Sequence, residues 1–153
     1  MNVSQPFAAL TPSSGQMRGR VHVFPLRVYY EDTDAGGIVY YANYLKFAER
    51  GRTEFLRTLG IEQQRLREDT GMQFVMHEGE VKYKKAARLD DVLTVETALA
   101  EMGAASVTMR QVIKRDADEL VCFTAHVACT GTDGKPMRMP AQLKAALETC
   151  LEK

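Results

Sequence analysis

Residues 31–50, EDTDAGGIVYYANYLKFAER, place several acids and two adjacent glycines just ahead of a segment with helical periodicity. That junction suits carbonyl chemistry. Gly36 and Gly37 lack a Cβ, so their backbone can approach a ligand closely. The unpaired N–H groups at a helix start point outward with partial positive charge, and they would stabilise an oxygen that turns negative in an acyl-transfer transition state. Asp34 stands a short turn earlier and could attack the carbonyl or activate a water. The same residues also have a plain structural reading, in which Asp32, Thr33 or Asp34 caps a helix and the glycines only make a turn. Local physics leaves both readings open.

Other titratable groups offer less. Glu49 lies within the helical segment, where a surface ion pair with Arg52, three residues on, is the expected arrangement. His22, His77 and His126 belong to no Ser or Cys nucleophile motif, so they are read as structural and no catalytic triad is expected. Cys122, Cys129 and Cys150 are an odd set with no zinc-ligand spacing, so no metal is expected and the thiols are read as buried and reduced. If Cys122 and Cys129 share a strand, their odd separation puts them on opposite faces, roughly 23 Å apart, where they cannot bond. The eight methionines are read as gap-filling core.

The elements that must position these groups follow from periodicity. Residues 1–20 mix Ser, Pro, Gly, Gln and Thr and read as a loose arm on a single domain spanning 21–153. β-Branched and aromatic residues predict a strand over 21–30, ending at the polar stretch 31–37. Tyr44, Phe47, Ala48, Gly51, Phe55 and Leu59 recur on one helical face, with Gly60 as the stop. A short helix is expected near 62–69, then strands near 73–86, 91–101, 105–115 and 119–131, joined by short turn-forming groups that imply an antiparallel meander. On the last strand Val121, Phe123, Ala125, Val127 and Cys129 share a face that should meet the long helix. Asp133-Gly134 marks a tight turn, and Pro140 can open a final helix through about Leu151. The fold class is α+β, with an antiparallel sheet wrapped on one long helix.

At 153 residues the chain buries one core. Its 45% hydrophobic and 26% charged residues are those of an ordinary globular domain. Twenty basic residues balance twenty acidic ones, so no overall field draws the chain to nucleic acid or an anionic membrane surface. The first thirty residues lack a secretory pattern, and no apolar run is long enough to insert in a membrane, so the cytoplasm is the expected compartment.

The run RVYYEDTDAGGIVYYANYLKFAERGRTEFLRTLGI, 27–61, closely resembles the 4-hydroxybenzoyl-CoA thioesterase family of hot-dog proteins, in particular its Tol-Pal-associated acyl-CoA thioesterase branch. The likeness extends more weakly through ARLDDVLTV, 87–95, to KPMRMP, 135–140. It implies an acyl-CoA thioester hydrolase that needs no cofactor. By resemblance, Asp34 is the catalytic carboxylate, the Tyr41 backbone N–H polarises the carbonyl, and the turn at Gly37 gives access. The branch often carries His where this chain has Tyr41, a departure that bears on acyl preference. Another hot-dog branch takes its carboxylate from the long helix, which keeps Glu49 as a lesser candidate. Lys82, Lys84, Lys85 and Arg88, with Arg138 beyond the Asp-Gly turn, could hold the phosphates of coenzyme A. A strand edge guarded by lysines accounts for the same cluster without a ligand. An acyl carrier protein docked on that cluster and a non-catalytic acyl-binding protein are the alternatives. The family closes its sheet edge and pocket by pairing, so a homodimer, and by family habit a homotetramer, is expected.

Overall fold

In the computed structural model, residues 10–153 are described. The order is β1 (Gln16–Arg18), β2 (Val21–Arg27), a single 3-10 turn (Tyr30–Asp32), α1 (Asn43–Thr58), α2 (Gln63–Thr70), β3 (Gln73–Tyr83), β4 (Val92–Met102), β5 (Ser106–Arg115), β6 (Asp118–Thr130) and α3 (Ala141–Glu148). The strands form one antiparallel sheet in the order β1-β2-β4-β5-β6-β3. The sheet wraps α1, which is the hot-dog arrangement.

The helix lies in the sheet because its apolar stripe is narrow and continuous. Tyr44, Phe47, Ala48, Gly51, Phe55 and Leu56 are buried, while Lys46, Glu49 and Arg50 on the far side are exposed. Gly51 sets the closeness of that contact: a Cβ there would stand 2.6 Å from Val95 Cγ1, inside any van der Waals distance. Tyr44 and Phe47 pack with Val28, Leu93, Val95, Ile113, Leu120 and Val121 beneath the start of α1. Phe55 and Leu56 pack with Leu99, Met109, Phe123, Ala125, Val127 and Leu147 toward its end. The inward face of β6 is the one its alternation predicts. Cys129 is on it, and burial pushes its thiol up to about 11. Cys122 is on the opposite face, and all three cysteines are free.

Two expectations need correcting. The expected arm, 1–20, already contains β1, which pairs with β2 in the register Gln16↔Val23; residues 1–9 of that arm lie outside the described residues. Ser14 is docked as well, its carbonyl accepting from Thr58 Oγ1 and lying 2.7 Å from His22 Nε2. The expected meander holds only for β4, β5 and β6. β3 instead pairs with β6 at the opposite edge, because residues 84–91 form a crossover instead of a hairpin turn. Eight residues can span about 27 Å, enough to pass the two intervening strands. No helix among the described residues is long and apolar enough to cross a membrane.

Candidate active site

The segment from β2 to α1 folds as a small hairpin braced at both ends. At its base Asp32 is buried, and each of its carboxylate oxygens is occupied: Oδ2 accepts from the Tyr29 N–H at 2.8 Å and Oδ1 from Asn43 Nδ2 at 2.8 Å. This carboxylate therefore pins the 3-10 turn to the first residue of α1. Beyond it Thr33 bridges Val39, the Asp34 N–H donates to the Ile38 carbonyl at 2.9 Å, and Gly37 N–H donates back to the Asp34 carbonyl at 3.1 Å. The tip of this hairpin needs a left-handed residue, supplied by Gly37 at φ +77°.

Asp34 is exposed at that tip. Its Oδ1 accepts from the Gly36 N–H at 2.8 Å, and its Oδ2 has no partner among the described residues. The two readings of the acids thus divide between residues. Asp32 takes the structural role, whereas Asp34 is oriented through one oxygen and keeps the other open.

The far side of the hairpin leans on the crossover. Val39 N–H donates to the Ala87 carbonyl, Ile38 bridges Arg88, and Ala87 N–H donates to Tyr44 Oη at 2.9 Å. Asp91 stiffens the crossover by accepting from the Arg88 N–H and from Arg115 Nη1, both at 2.8 Å. Burial pushes the Asp91 carboxyl up, but these two donors together hold it below its ordinary value.

Tyr41 stands two residues ahead of α1, in the turn closed by Asn43 N–H to the Tyr40 carbonyl at 2.8 Å. The helix therefore begins later than the site residue, yet Ala42 already has helical torsions, φ −70° and ψ −21°. The Tyr41 N–H has no acceptor among the described residues. Its carbonyl accepts from the Tyr83 hydroxyl at 3.2 Å, and the two rings meet edge to face with centroids 6.2 Å apart. Tyr83 thus reaches from the end of β3 to hold the peptide next to the candidate oxyanion donor.

Residues 28–147, which span this hairpin, α1 and strands β3 to β6, match the thioesterase-like superfamily. The chain belongs to that superfamily. It is 48% identical over 124 residues to the acyl-CoA thioesterase YbgC of Haemophilus influenzae, covering 80% of this chain and 91% of that one. It is 40% identical over 125 residues to the acyl-CoA thioester hydrolase YbgC of Escherichia coli, covering 80% and 92%. Among solved structures it superposes on a probable thioesterase from Bartonella henselae with a TM-score of 0.75 and 37% identity, over 78% of this chain and 99% of that one.

The remaining candidates are placed more diffusely. Lys84 pairs with Glu119 at 2.8 Å and Lys85 with Asp118 at 3.1 Å, all four exposed. The bond to Glu119 raises the Lys84 pKa and lowers that of Glu119. Lys82 and Arg88 have no ion-pair partner among the described residues, so they are the basic groups left open to an anion. Arg138 is exposed but follows the Thr130 end of β6, while Tyr83 and the lysines lie at its Val121 end. Nine residues of strand separate the two ends, roughly 30 Å, so Arg138 does not join the cluster within one protomer.

Glu49 is exposed and makes no ion pair with Arg52, contrary to expectation, because the Arg52 guanidinium turns inward onto the sheet. Of the histidines, His22 is buried with its ring against Thr58, His126 meets Thr108, and His77 occupies a bulge in β3. None of the three bonds Asp34 or Tyr41. Among the described residues no three His, Cys, Asp or Glu side chains converge as a metal site.

Tyr83 and the Asp32–Asn43 pair are site-building residues that periodicity did not single out. Alternation along β3 places Tyr83 on the face of Val81, but only the tertiary fold brings its hydroxyl to Tyr41. Asp32 carried no local mark to separate it from Asp34.

Proposed function

We propose that this chain hydrolyses the thioester of an acyl-CoA, releasing a free acid and coenzyme A. Asp34 attacks the carbonyl carbon or directs a water onto it, and the Tyr41 N–H receives the carbonyl oxygen as it becomes negative. Water supplies the oxygen that ends in the acid, and the departing sulfur takes up a proton. Neither step calls for a metal or an organic cofactor. The observation that carries this reading is the pairing of an exposed carboxylate, held through one oxygen, with an unbonded N–H on the same braced hairpin-to-helix segment. The thioesterase relatives support the substrate class.

Lys82 and Arg88 are the residues we assign to the phosphates of coenzyme A, with Lys84 and Lys85 already paired to their own acids. That partial neutralisation leaves little basic surface for an acidic carrier protein, which favours coenzyme A as the thiol carrier. Release of free thiol from a panel of acyl-CoAs tests both assignments. The protein is expected to turn over at least one of them. Replacing Lys82 and Arg88 by glutamine is expected to raise KM a few-fold, about 0.5–1 kcal/mol per charge, with kcat nearly unchanged. A thioester lacking the nucleotide should not respond. No thiol release from any acyl-CoA overturns the function, and an unchanged KM overturns the phosphate contacts.

β3 leaves one edge without a strand partner, and Val75, Met76 and Tyr83 are exposed along it. We infer that a second copy pairs there, so that the Tyr83 end of each site lies near the partner; further pairing of dimers gives the tetramer. Light scattering on dilute protein should give a dimer or larger. A fully active monomer contradicts this. Three free thiols suit the reducing cytoplasm, where we place the protein.

A further inference from the structure

A cleft of about 110 Å³ opens along α1, beyond the candidate site. Glu49, Arg52, Thr53 and Leu56 line one wall, and Phe74, Met76, Met109 and Val127 the other. It lies outside the hairpin that carries Asp34, and its polarity is unusual for the inner side of a sheet.

The unusual group is Arg52. Its Nη1 donates to Gln111 Oε1 at 2.9 Å, and its guanidinium carbon lies 5.5 Å from the Phe123 ring centre. Gln111 is fully committed: its Nε2 donates to the Ala48 carbonyl at 2.8 Å and to Thr97 Oγ1 at 2.9 Å. The amide is therefore locked with its oxygen toward Arg52, and the arginine is locked with it. A guanidinium has five N–H donors; this one has a single hydrogen bond to protein and no carboxylate within 4.0 Å among the described residues. Burial lowers its pKa, and the nearby charge of Glu49 only partly offsets that. Glu49 is exposed, where water screens its charge. An arginine held rigidly against an aromatic ring, with donors unused beside an apolar cleft, is arranged for a planar anion.

The cleft also lies at a useful distance. From Asn43, the first residue of α1, to Arg52 is nine residues, about 14 Å at 1.5 Å per residue, and Tyr41 stands two residues earlier. A long acyl chain lying along α1, with its thioester at Tyr41, would end there. We propose that Arg52 binds the far end of the acyl group, making the preferred substrates long-chain acyl-CoAs that end in a carboxylate. Phe74, Met76, Met109 and Val127 accept the last methylenes, and the fork of Arg52 takes the two carboxylate oxygens. This rests on the acyl-CoA reading above.

The test compares kcat/KM for dodecanoyl-CoA, ω-hydroxydodecanoyl-CoA and the mono-CoA thioester of dodecanedioic acid. Butyryl-CoA and succinyl-CoA serve as the pair too short to reach. The wild-type protein is expected to favour the dodecanedioic thioester over dodecanoyl-CoA by about ten- to a hundred-fold, the effect of one charge-assisted bidentate contact. It should show no such preference for succinyl-CoA. In Arg52→Lys and Arg52→Gln the ratio of the two long-chain values should collapse toward unity, because the fork is lost even where the charge is kept. Equal wild-type rates on the two long chains overturn the proposal without need of any variant. So does a preference for the hydroxyl over the carboxylate, or a loss in the variants that leaves the ratio unchanged, the mark of an arginine that only braces the helix. A protein that hydrolyses these thioesters without regard to the chain end contradicts Arg52 recognition alone, whereas one that hydrolyses none contradicts the function itself.

Discussion

Asp32→Ala is expected to lower stability by about 2–4 kcal/mol, because it removes the acceptor of two hydrogen bonds in a buried place and strands the Asn43 amide. In a chain of this size that is a fall in melting temperature on the order of 10 °C. The loss is not confined to folding. Among the described residues Asp32 is the only side chain that ties the 3-10 turn to the first residue of α1, and its carbonyl also accepts from the Tyr40 N–H at 2.9 Å. Releasing the side chain loosens the relation between the hairpin tip and the Tyr41 amide, so kcat should fall as well at temperatures where the protein is still folded. Asp32→Asn keeps one acceptor oxygen and should lie between the alanine variant and wild type in both respects. Thermal melts with parallel turnover measurements check this. An alanine variant that melts within about 1 °C of wild type would show that the pair of bonds contributes nothing net.

Much of this architecture could be read from spacing. The stripe Tyr44, Phe47, Ala48, Gly51, Phe55 marks the buried side of α1 because helical periodicity and burial are one constraint. The alternation Val121, Phe123, Ala125, Val127, Cys129 does the same for β6. The position of β3 was not legible. Turn-forming residues at 89–91 look alike whether the next strand pairs with its predecessor or crosses to another edge, and that choice is made by which strand edges remain to be covered. β1 was missed for a related reason: three residues paired at a sheet edge leave almost no apolar signature.

The site divides in the same way. Asp34, Gly37 and Tyr41 are close in sequence, so a motif could carry them. Asp32 and Asp34 could not be told apart locally, since either can accept backbone N–H bonds; burial against Asn43 separates them, and that is a property of the folded chain. Tyr83 to Tyr41, Arg115 to Asp91 and Arg52 to Gln111 each join residues more than twenty positions apart. No periodicity encodes such pairs. The expected Glu49–Arg52 pair failed because helix spacing permits an ion pair but does not weigh it against an inward cavity that offers an amide oxygen and an aromatic face.

The central claim is that the Asp34 carboxylate performs the chemistry, and Asp34→Asn isolates it. Asparagine keeps the size of the side chain and an oxygen that can still accept from the Gly36 N–H, so the hairpin tip should persist. What it removes is the charge needed to attack a carbonyl or to take a proton from water. Because Asp34 is exposed and its Oδ2 has no partner among the described residues, the melting temperature should move little. The most direct measurement is thiol release from a good acyl-CoA substrate by wild type and Asp34→Asn at matched folded concentration. A fall in kcat of about 1,000-fold or more, with KM and melting temperature close to wild type, is the predicted result. Turnover by the variant near the wild-type kcat would contradict the assignment of Asp34 and with it the mechanism.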